Sequence, residues 1–122
     1  AEVVTSPNNP QGNNLNYLGS NGLQIYGFGL GYLSAYQPGT NTFYSGIYCG
    51  GESYRDMAYN DGYLYIGKKG CIHKCTESLF TAKRSYYIPD FDLYGLAFDG
   101  TYFWCSGMNT STNEWQLLKV QL

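Results

Sequence analysis

The sequence predicts an all-β protein, and three observations lead to that prediction. Tyrosine and glycine are abundant, with 14 and 16 residues among 122, and they suit strands and the tight turns between strands. No segment repeats apolar residues at helical spacing over three turns. An Asn-Gly or Asp-Gly pair, which favours a two-residue hairpin turn with positive φ at both central residues, precedes an aromatic or aliphatic segment three times: Asn21-Gly22, Asp61-Gly62 and Asp99-Gly100.

These pairs divide the chain into three units of similar length. Their glycines recur about every forty residues, a spacing that indicates a repeated supersecondary unit. A strand is predicted on each side of every pair and a further hairpin after it, so each unit has about four antiparallel strands. The third unit is split between the termini, and residues 2–5 are predicted to complete it as a fourth strand, which removes an open sheet edge. Residues 1–122 are therefore predicted to be one domain of three repeats.

Two of the units resemble the blades of a β-propeller. Residues 96–104 are similar to the strand–Asp-Gly–strand core of a blade, and residues 57–67 followed by 70–74 are similar to the next one. Small secreted propellers of this kind are often lectins, so the resemblance implies a sugar-binding protein. Because a propeller has roughly four to eight blades, the resemblance also implies a ring of six blades in a dimer, or a larger ring.

A fold with three-fold symmetry closed within one chain is the alternative. β-Trefoils and β-prisms also have three units of this size and include many lectins, and residues 21–26 are loosely similar to a β-prism lectin repeat. The Gln-Asp-Asn-Val-Tyr signature of that lectin family and the Gln-x-Trp signature of trefoils are both absent from the sequence.

Charge and hydropathy exclude other classes of protein. The formal net charge is −2 and charged residues make up 13% of the chain, which argues against a nucleic-acid binder because such proteins need a basic face. Five of the seven basic residues lie between Lys68 and Arg84, a cluster typical of a solvated hairpin. No run of about 18 apolar residues is present, so no membrane span is predicted. The chain begins at Ala1 without a methionine or an apolar leader, which suggests a mature secreted protein.

The cysteines also predict a secreted protein, since an even number in a short chain is typical of an oxidising compartment. They are Cys49, Cys71, Cys75 and Cys105. A bond from Cys71 to Cys75 is disfavoured, because four residues of extended strand separate them by roughly 13 Å. The predicted disulfides are therefore 49–71 with 75–105, or 49–75 with 71–105. An N-glycosylation sequon at Asn109 fits the same compartment.

No catalytic or metal-binding arrangement emerges from the sequence. His73 is the single histidine and shares a strand face with Cys71 and Cys75, but the tight Cys-x-x-Cys turn of most zinc sites is missing. Asp90 and Asp92 supply two carboxylates where calcium takes about six oxygens or more. No cofactor, metal or catalytic residue is predicted, and a small hydrolase is the least favoured function.

Aromatic surface is the remaining candidate for function. Tyr102 and Trp104 share one side of a strand while Phe103 and Cys105 share the other, and one of these sets must be core. Sugars present flat C–H patches that stack on tyrosine and tryptophan rings, and their hydroxyls need a few placed polar partners. The predicted ligand-binding residues are Trp104, Trp115, Tyr102, Arg55, Glu52 and Glu114.

The leading prediction is accordingly a secreted, non-catalytic carbohydrate-binding protein with repeated sugar sites. Its predicted partners are glycans or glycoproteins and further copies of itself, since multivalency raises avidity without a tight single site. The alternative is a structural or adhesive protein that self-assembles through its tyrosines, which bury area at interfaces while keeping a polar tip.

Overall fold

The computed structural model describes residues 16–29, 32–48, 54–76 and 82–122. Every regular element in these ranges is a strand, which confirms the all-β prediction, and none of them contains a helix suited to crossing a membrane. The strands are β1 (Asn16–Ser20), β2 (Ile25–Gly29), β3 (Tyr32–Gln37), β4 (Thr42–Tyr48), β5 (Asp56–Asn60), β6 (Tyr63–Lys68), β7 (Cys71–Thr76), β8 (Ala82–Tyr87), β9 (Phe91–Phe98), β10 (Phe103–Asn109) and β11 (Glu114–Val120).

The strands form three antiparallel sheets that follow chain order. The sheets are β1–β2–β3–β4, β5–β6–β7–β8 and β9–β10–β11. Each is an up-and-down meander of neighbouring strands, which is the organisation of propeller blades. One sheet per repeat was predicted, and the described residues confirm it. The strand predicted at residues 2–5 as the fourth member of the third sheet lies outside the described residues.

The three Asn/Asp-Gly turns are not alike. Asp61 and Gly62 both have positive φ, at 49° and 82°, and they join β5 directly to β6 as predicted. At the other two pairs only Gly22 and Gly100 have positive φ, so the prediction of two-residue turns there is wrong. The reason is side-chain competition: Asp99 Oδ1 accepts hydrogen bonds from the backbone N–H groups of the next turn residues, and this stabilises a wider loop.

The chain divides into two compact units, residues 1–52 and 53–122. The first contains the sheet β1–β4, whose buried residues include Tyr26, Leu33 and Phe43. The Tyr26 hydroxyl donates to Gln24 Oε1 at 2.9 Å and accepts from Asn21 Nδ2 at 3.1 Å. The polar tip of this fully buried ring is therefore satisfied, as burial of a tyrosine requires.

The second unit packs the sheet β5–β8 against the sheet β9–β11. The two sheets share a core cluster of buried residues, namely Ala58, Tyr65, Ile72, Phe91, Leu93, Leu96, Phe103 and Cys105. Phe103 lies against Tyr65 with ring centroids 4.4 Å apart. Because strand residues alternate between faces, burial of Phe103 and Cys105 directs Trp104 to the opposite face of β10.

The disulfides predicted for Cys105 are wrong. Cys105 is a fully buried thiol, and burial raises its pKa to about 11. No disulfide joins Cys71, Cys75 and Cys105 to one another, although both predicted pairings required one. The cause is alternation along β7: Ile72 packs in the cluster that contains Cys105, so Cys71 and Cys75 lie on the other face of their sheet. Cys49 lies outside the described residues.

Candidate functional site

One face of the sheet β9–β11 points away from the core cluster, and we name it the outer face. Strand register places its side chains opposite one another, Trp104 with Ala97 and Lys119, Ser106 with Gly95 and Leu117, and Met108 with Asp92 and Trp115. Directly opposed residues of antiparallel strands share one face. Trp115 is 64% exposed and Leu117 is 66% exposed. Large apolar side chains that remain exposed together mark an interaction surface.

A hollow of about 270 Å³ opens on the outer face. It is lined by Asp56, Gly95, Leu96, Ala97, Trp104, Ser106 and Leu117. Gly95 leaves room for the Ser106 side chain on the paired strand, because a Cβ at Gly95 would lie 2.5 Å from the Ser106 hydroxyl oxygen. Trp104 and Leu117 supply apolar wall, whereas Asp56 and Ser106 supply polar atoms. A small number of polar groups on an apolar wall is the usual composition of a small-ligand site.

Asp56 connects β5 to β9 at the edge of the hollow. Its Oδ2 accepts a hydrogen bond from the Leu96 backbone N–H at 2.8 Å, and its Oδ1 accepts one from the Met57 backbone N–H at 2.9 Å. Burial raises the pKa of Asp56, and the two hydrogen bonds oppose this shift without cancelling it. The carboxyl therefore binds a proton more readily than an exposed aspartate does, and it is fixed where it can accept from a ligand hydroxyl.

Trp104 is held in position by Asp99. The indole Nε1–H donates to Asp99 Oδ2 at 2.7 Å, while the other carboxylate oxygen accepts from the backbone N–H groups of Thr101 and Tyr102 at 2.8 Å each. On the same side, the Lys119 ammonium lies 4.0 Å from the Tyr102 ring centroid and 5.8 Å from that of Trp104. One carboxylate thus fixes both the turn and the ring that follows it.

We expect Asp99→Ala to release the Trp104 indole. The backbone hydrogen bond from Tyr102, the indole hydrogen bond and the Thr101 hydrogen bond all lower the pKa of Asp99 below 3.8. The hydrogen bonds that Asp99 accepts are therefore present above pH 3.8 and are lost only as the pH falls through the lowered pKa of Asp99. In a Trp115→Phe background Trp104 is the single tryptophan. Its fluorescence emission should shift to the red when Asp99→Ala is added. In the protein that keeps Asp99, the same shift should occur only in strong acid.

The matched control is Asp61→Ala, which alters the Asp-Gly turn of the preceding repeat. This turn has no tryptophan, so the emission of Trp104 should not change. Equal red shifts in the two alanine variants, or a transition of the parent protein well above pH 3.8, would contradict the assignment.

Trp115 is supported from one side by a stack of two further residues. The Arg55 guanidinium carbon lies 4.2 Å from the Tyr94 ring centroid, and the Tyr94 and Trp115 centroids are 5.2 Å apart with a tilt of 57°. Arg55 also approaches Asp92 Oδ1 at 3.8 Å. Tyr94 lies where the register of β9 shifts against β10, and such a bulge redirects a side chain. The Trp115 ring is therefore braced while remaining largely exposed.

The structure brings together four of the six predicted ligand-binding residues. Trp104, Trp115 and Tyr102 lie on the outer face, and Arg55 reaches it through Tyr94. Glu114 pairs with Asn109 at the start of β11, and alternation places its exposed side chain on the opposite side from Trp115. Glu52 lies outside the described residues.

Several residues of this surface were not predicted from the sequence. Alternation from Trp104 to Ser106 and from Trp115 to Leu117 was a sufficient signal for Ser106 and Leu117. Asp99 was recognised as a turn residue alone, although its carboxylate also binds the indole. Tyr94 had no sequence signal, because a bulge determines its position.

Two other predicted features lie elsewhere. The sequon residue Asn109 ends β10 at an exposed turn, and its Oδ1 accepts from the backbone N–H groups of Ser111 and Thr112. His73 lies 2.7 Å from the Ser85 hydroxyl and 3.8 Å from Cys71 Sγ. In the part of the chain that the structure describes, no three His, Cys, Asp or Glu side chains are grouped as metal ligands.

No family model matches the sequence, and no curated protein matches it either. Among solved structures, the chain is similar to the crystal structure of glutaminyl cyclase from Myxococcus xanthus, with a TM-score of 0.58 and 12% sequence identity. The match covers 79% of this chain and 48% of that chain, so the protein spans about half the length of this enzyme chain. A likeness at this identity concerns the fold alone. Together with the three meander sheets, it makes the chain an all-β protein of propeller-like fold.

Proposed function

We propose that this chain is a secreted carbohydrate-binding protein whose sugar site is the outer face of the sheet β9–β11. The proposal rests on one observation: two tryptophan rings lie on the same face as a hollow that has polar groups in its lining. Trp104 lines the hollow with Asp56 and Ser106, and Trp115 stands exposed on the next strand. The rings can stack on the C–H faces of a sugar while the carboxylate and hydroxyl bind its hydroxyls.

The fixed positions of the rings also support the proposal. Asp99 holds the Trp104 indole by a hydrogen bond, and Tyr94 braces Trp115. A side chain that is ordered before binding loses less conformational entropy when the ligand arrives. The outer face therefore presents two ordered aromatic platforms rather than two mobile side chains. The sequon at Asn109, in an exposed turn between β10 and β11, supports the secreted part of the proposal.

We expect Trp115→Ala to weaken sugar binding about tenfold or more, because a stacked ring of this size contributes roughly 1.5–3 kcal/mol when it is buried. A glycan array with labelled protein identifies the sugar, and titration calorimetry with that sugar then measures the affinity. Tyr87→Ala is the matched control. Tyr87 is 77% exposed, but it lies on β8 of the other sheet, so its removal should leave the affinity unchanged.

The outcomes of this experiment are distinct. A related set of sugars on the array, with loss of affinity confined to Trp115→Ala, supports the proposal. A silent array from folded protein, or equal losses of affinity in both variants, rejects the outer face as the sugar site.

Self-assembly is the second candidate function, and one observation favours it. The sheet β9–β11 has the core cluster on one face alone, and Leu117 and Trp115 are exposed on the other. A second copy of the chain that covers this face would bury both residues. Sedimentation of the parent, Trp115→Ala and Tyr87→Ala distinguishes the two candidate functions. Self-assembly predicts that the sedimenting mass rises with protein concentration in the parent and in Tyr87→Ala, but not in Trp115→Ala.

The proposal assigns no catalytic role to this chain. The structural neighbour is named as a glutaminyl cyclase, which is an enzyme, but the likeness extends to the fold alone. Hydrolysis or cyclisation requires a nucleophile or base with an orienting partner, whereas the role proposed for the outer face needs only ring stacking and hydrogen bonds.

A further inference from the structure

The cluster of basic residues between Lys68 and Arg84 has no role in the outer face. Within it, Lys74 and Arg84 are direct partners across β7 and β8. Side chains so paired share one face of the sheet with Cβ atoms about 5 Å apart, and like charges in this arrangement destabilise a sheet. Two positive charges therefore lie side by side on this sheet, and no carboxylate among the described residues pairs with either of them.

Tyrosine rings fix both cations in place. The Lys74 ammonium lies 4.2 Å from the Tyr63 ring centroid, and the Arg84 guanidinium carbon lies 5.0 Å from that of Tyr86. Both rings are partly buried against the core cluster. Cation–π contacts at such distances are favourable, so each charge has a defined position. We name this arrangement the basic tyrosine patch, consisting of Tyr63, Lys74, Arg84 and Tyr86.

A purely structural role does not account for every residue of the patch. The strand β8 is at the edge of its sheet, and charged side chains on an edge deter pairing with other chains. The exposed Lys83 beside Arg84 already serves that purpose. Edge protection does not require Lys74, which lies on the inner neighbour β7 and hydrogen-bonds to Tyr65. Neither that hydrogen bond nor edge protection requires the Tyr63 and Tyr86 rings beneath the two charges.

We propose that the basic tyrosine patch binds sulfate groups of a sulfated polysaccharide. Arginine offers a planar fork of donors that matches an oxyanion, and lysine adds a compact point charge. A polysaccharide repeats its anionic groups along the chain, so a site with two cations gains avidity. Nucleic acid fits less well, since binding of its backbone uses many cations and a basic face, whereas this chain has a net charge of −2. The patch lies on the sheet β5–β8 and does not depend on the outer face.

The test is calorimetric titration of the full chain with size-defined heparin oligosaccharides at about 0.15 M salt, where the Debye length is about 8 Å. We expect Lys74→Gln with Arg84→Gln to weaken heparin binding about tenfold or more, because two charge-assisted contacts are lost. The matched control is Lys69→Gln with Lys83→Gln. It removes the same charge from exposed positions of the same segment and should change the affinity by less than about threefold, since diffuse attraction of surface charges is screened by salt.

Further measurements keep the outcomes separate. Desulfated heparin should not bind to the parent protein. Both double variants should remain folded, and only Lys74→Gln with Arg84→Gln should lose some thermal stability, because Lys74 also hydrogen-bonds to Tyr65. Equal losses of heparin affinity in the two double variants, an absence of heparin binding by the parent, or a single-stranded oligonucleotide bound as tightly as heparin would each overturn the proposal. Changes at Trp115 should leave heparin binding intact, so failure of the outer-face proposal and failure of this one are distinguishable.

Discussion

Gly107→Ala should destabilise the second unit by about 3 kcal/mol, because it forces a methyl group into a packed position between strands. A Cβ on Gly107 would collide with the backbone carbonyl oxygen of Asp92 and would lie 2.8 Å from Cζ and 2.9 Å from Cε2 of Phe91. Phe91 is buried in the core cluster and Asp92 belongs to the paired strand β9. Neither group can withdraw without disturbing the sheet. Urea unfolding followed by far-ultraviolet circular dichroism measures the loss.

Gly39→Ala is the control for this substitution. A Cβ at Gly39 meets nothing within 4 Å, and φ there is not in the left-handed region. Its free energy of unfolding should remain within about 0.5 kcal/mol of the parent, as for most surface substitutions. An unchanged urea midpoint for Gly107→Ala would show that β9 and β10 do not approach as closely as described.

Asp56→Ala should cost about 2 kcal/mol of unfolding free energy, since the backbone N–H groups of Leu96 and Met57 both lose their acceptor. Asp56→Asn should cost less, because its amide oxygen can still accept from Leu96. Removal of the contact between β5 and β9 should also disturb the hollow. The measurement is urea unfolding of the parent and both variants at several pH values.

The pH dependence gives a second readout for Asp56. Burial raises the pKa of this carboxyl in the folded chain above 3.8. As the pH falls from neutral, the folded chain binds its proton before the unfolded chain does, so this group adds stability in acid and loses it as the pH rises through the raised pKa. The stability of the parent relative to Asp56→Asn should therefore increase on acidification. A difference that moves the other way, or equal costs for alanine and asparagine, would contradict this account.

Local patterns were sufficient to predict most of the fold. The Asp61-Gly62 turn and alternation along β10 follow from conformational preference and from the period of a strand. The start of β9 was not predicted from the sequence, although Phe91 is only 3% exposed. The reason is that the alternating apolar pattern changes parity within β9: Phe91 and Leu93 occupy odd positions, whereas Leu96 and Phe98 occupy even positions. The bulge between them restores both to the core face.

The candidate site was less predictable, since it depends on contacts between distant residues. The hollow is lined by Asp56 and by Leu96, to which Asp56 is hydrogen-bonded forty positions along the chain, and no local signal marks that pair. Trp104 and Trp115 were identified from residue type alone, whereas their supports at Asp99 and Tyr94 required coordinates. The disulfide prediction failed for a related reason, because cysteine count says nothing about which sheet face each thiol occupies.

The bulge in β9 separates two tasks of the strand: Leu93 and Leu96 pack in the core, and Tyr94 is presented on the surface. In a regular strand, every second side chain packs in the core, so a substitution at such a position alters core packing. Here Tyr94 has no cross-strand partner in the register and is 44% exposed, so its side chain can be exchanged without a compensating change in Leu93 or Leu96. A substitution at Tyr94 would therefore change the surface beside Trp115 and leave the hydrophobic pattern that folds the sheet intact.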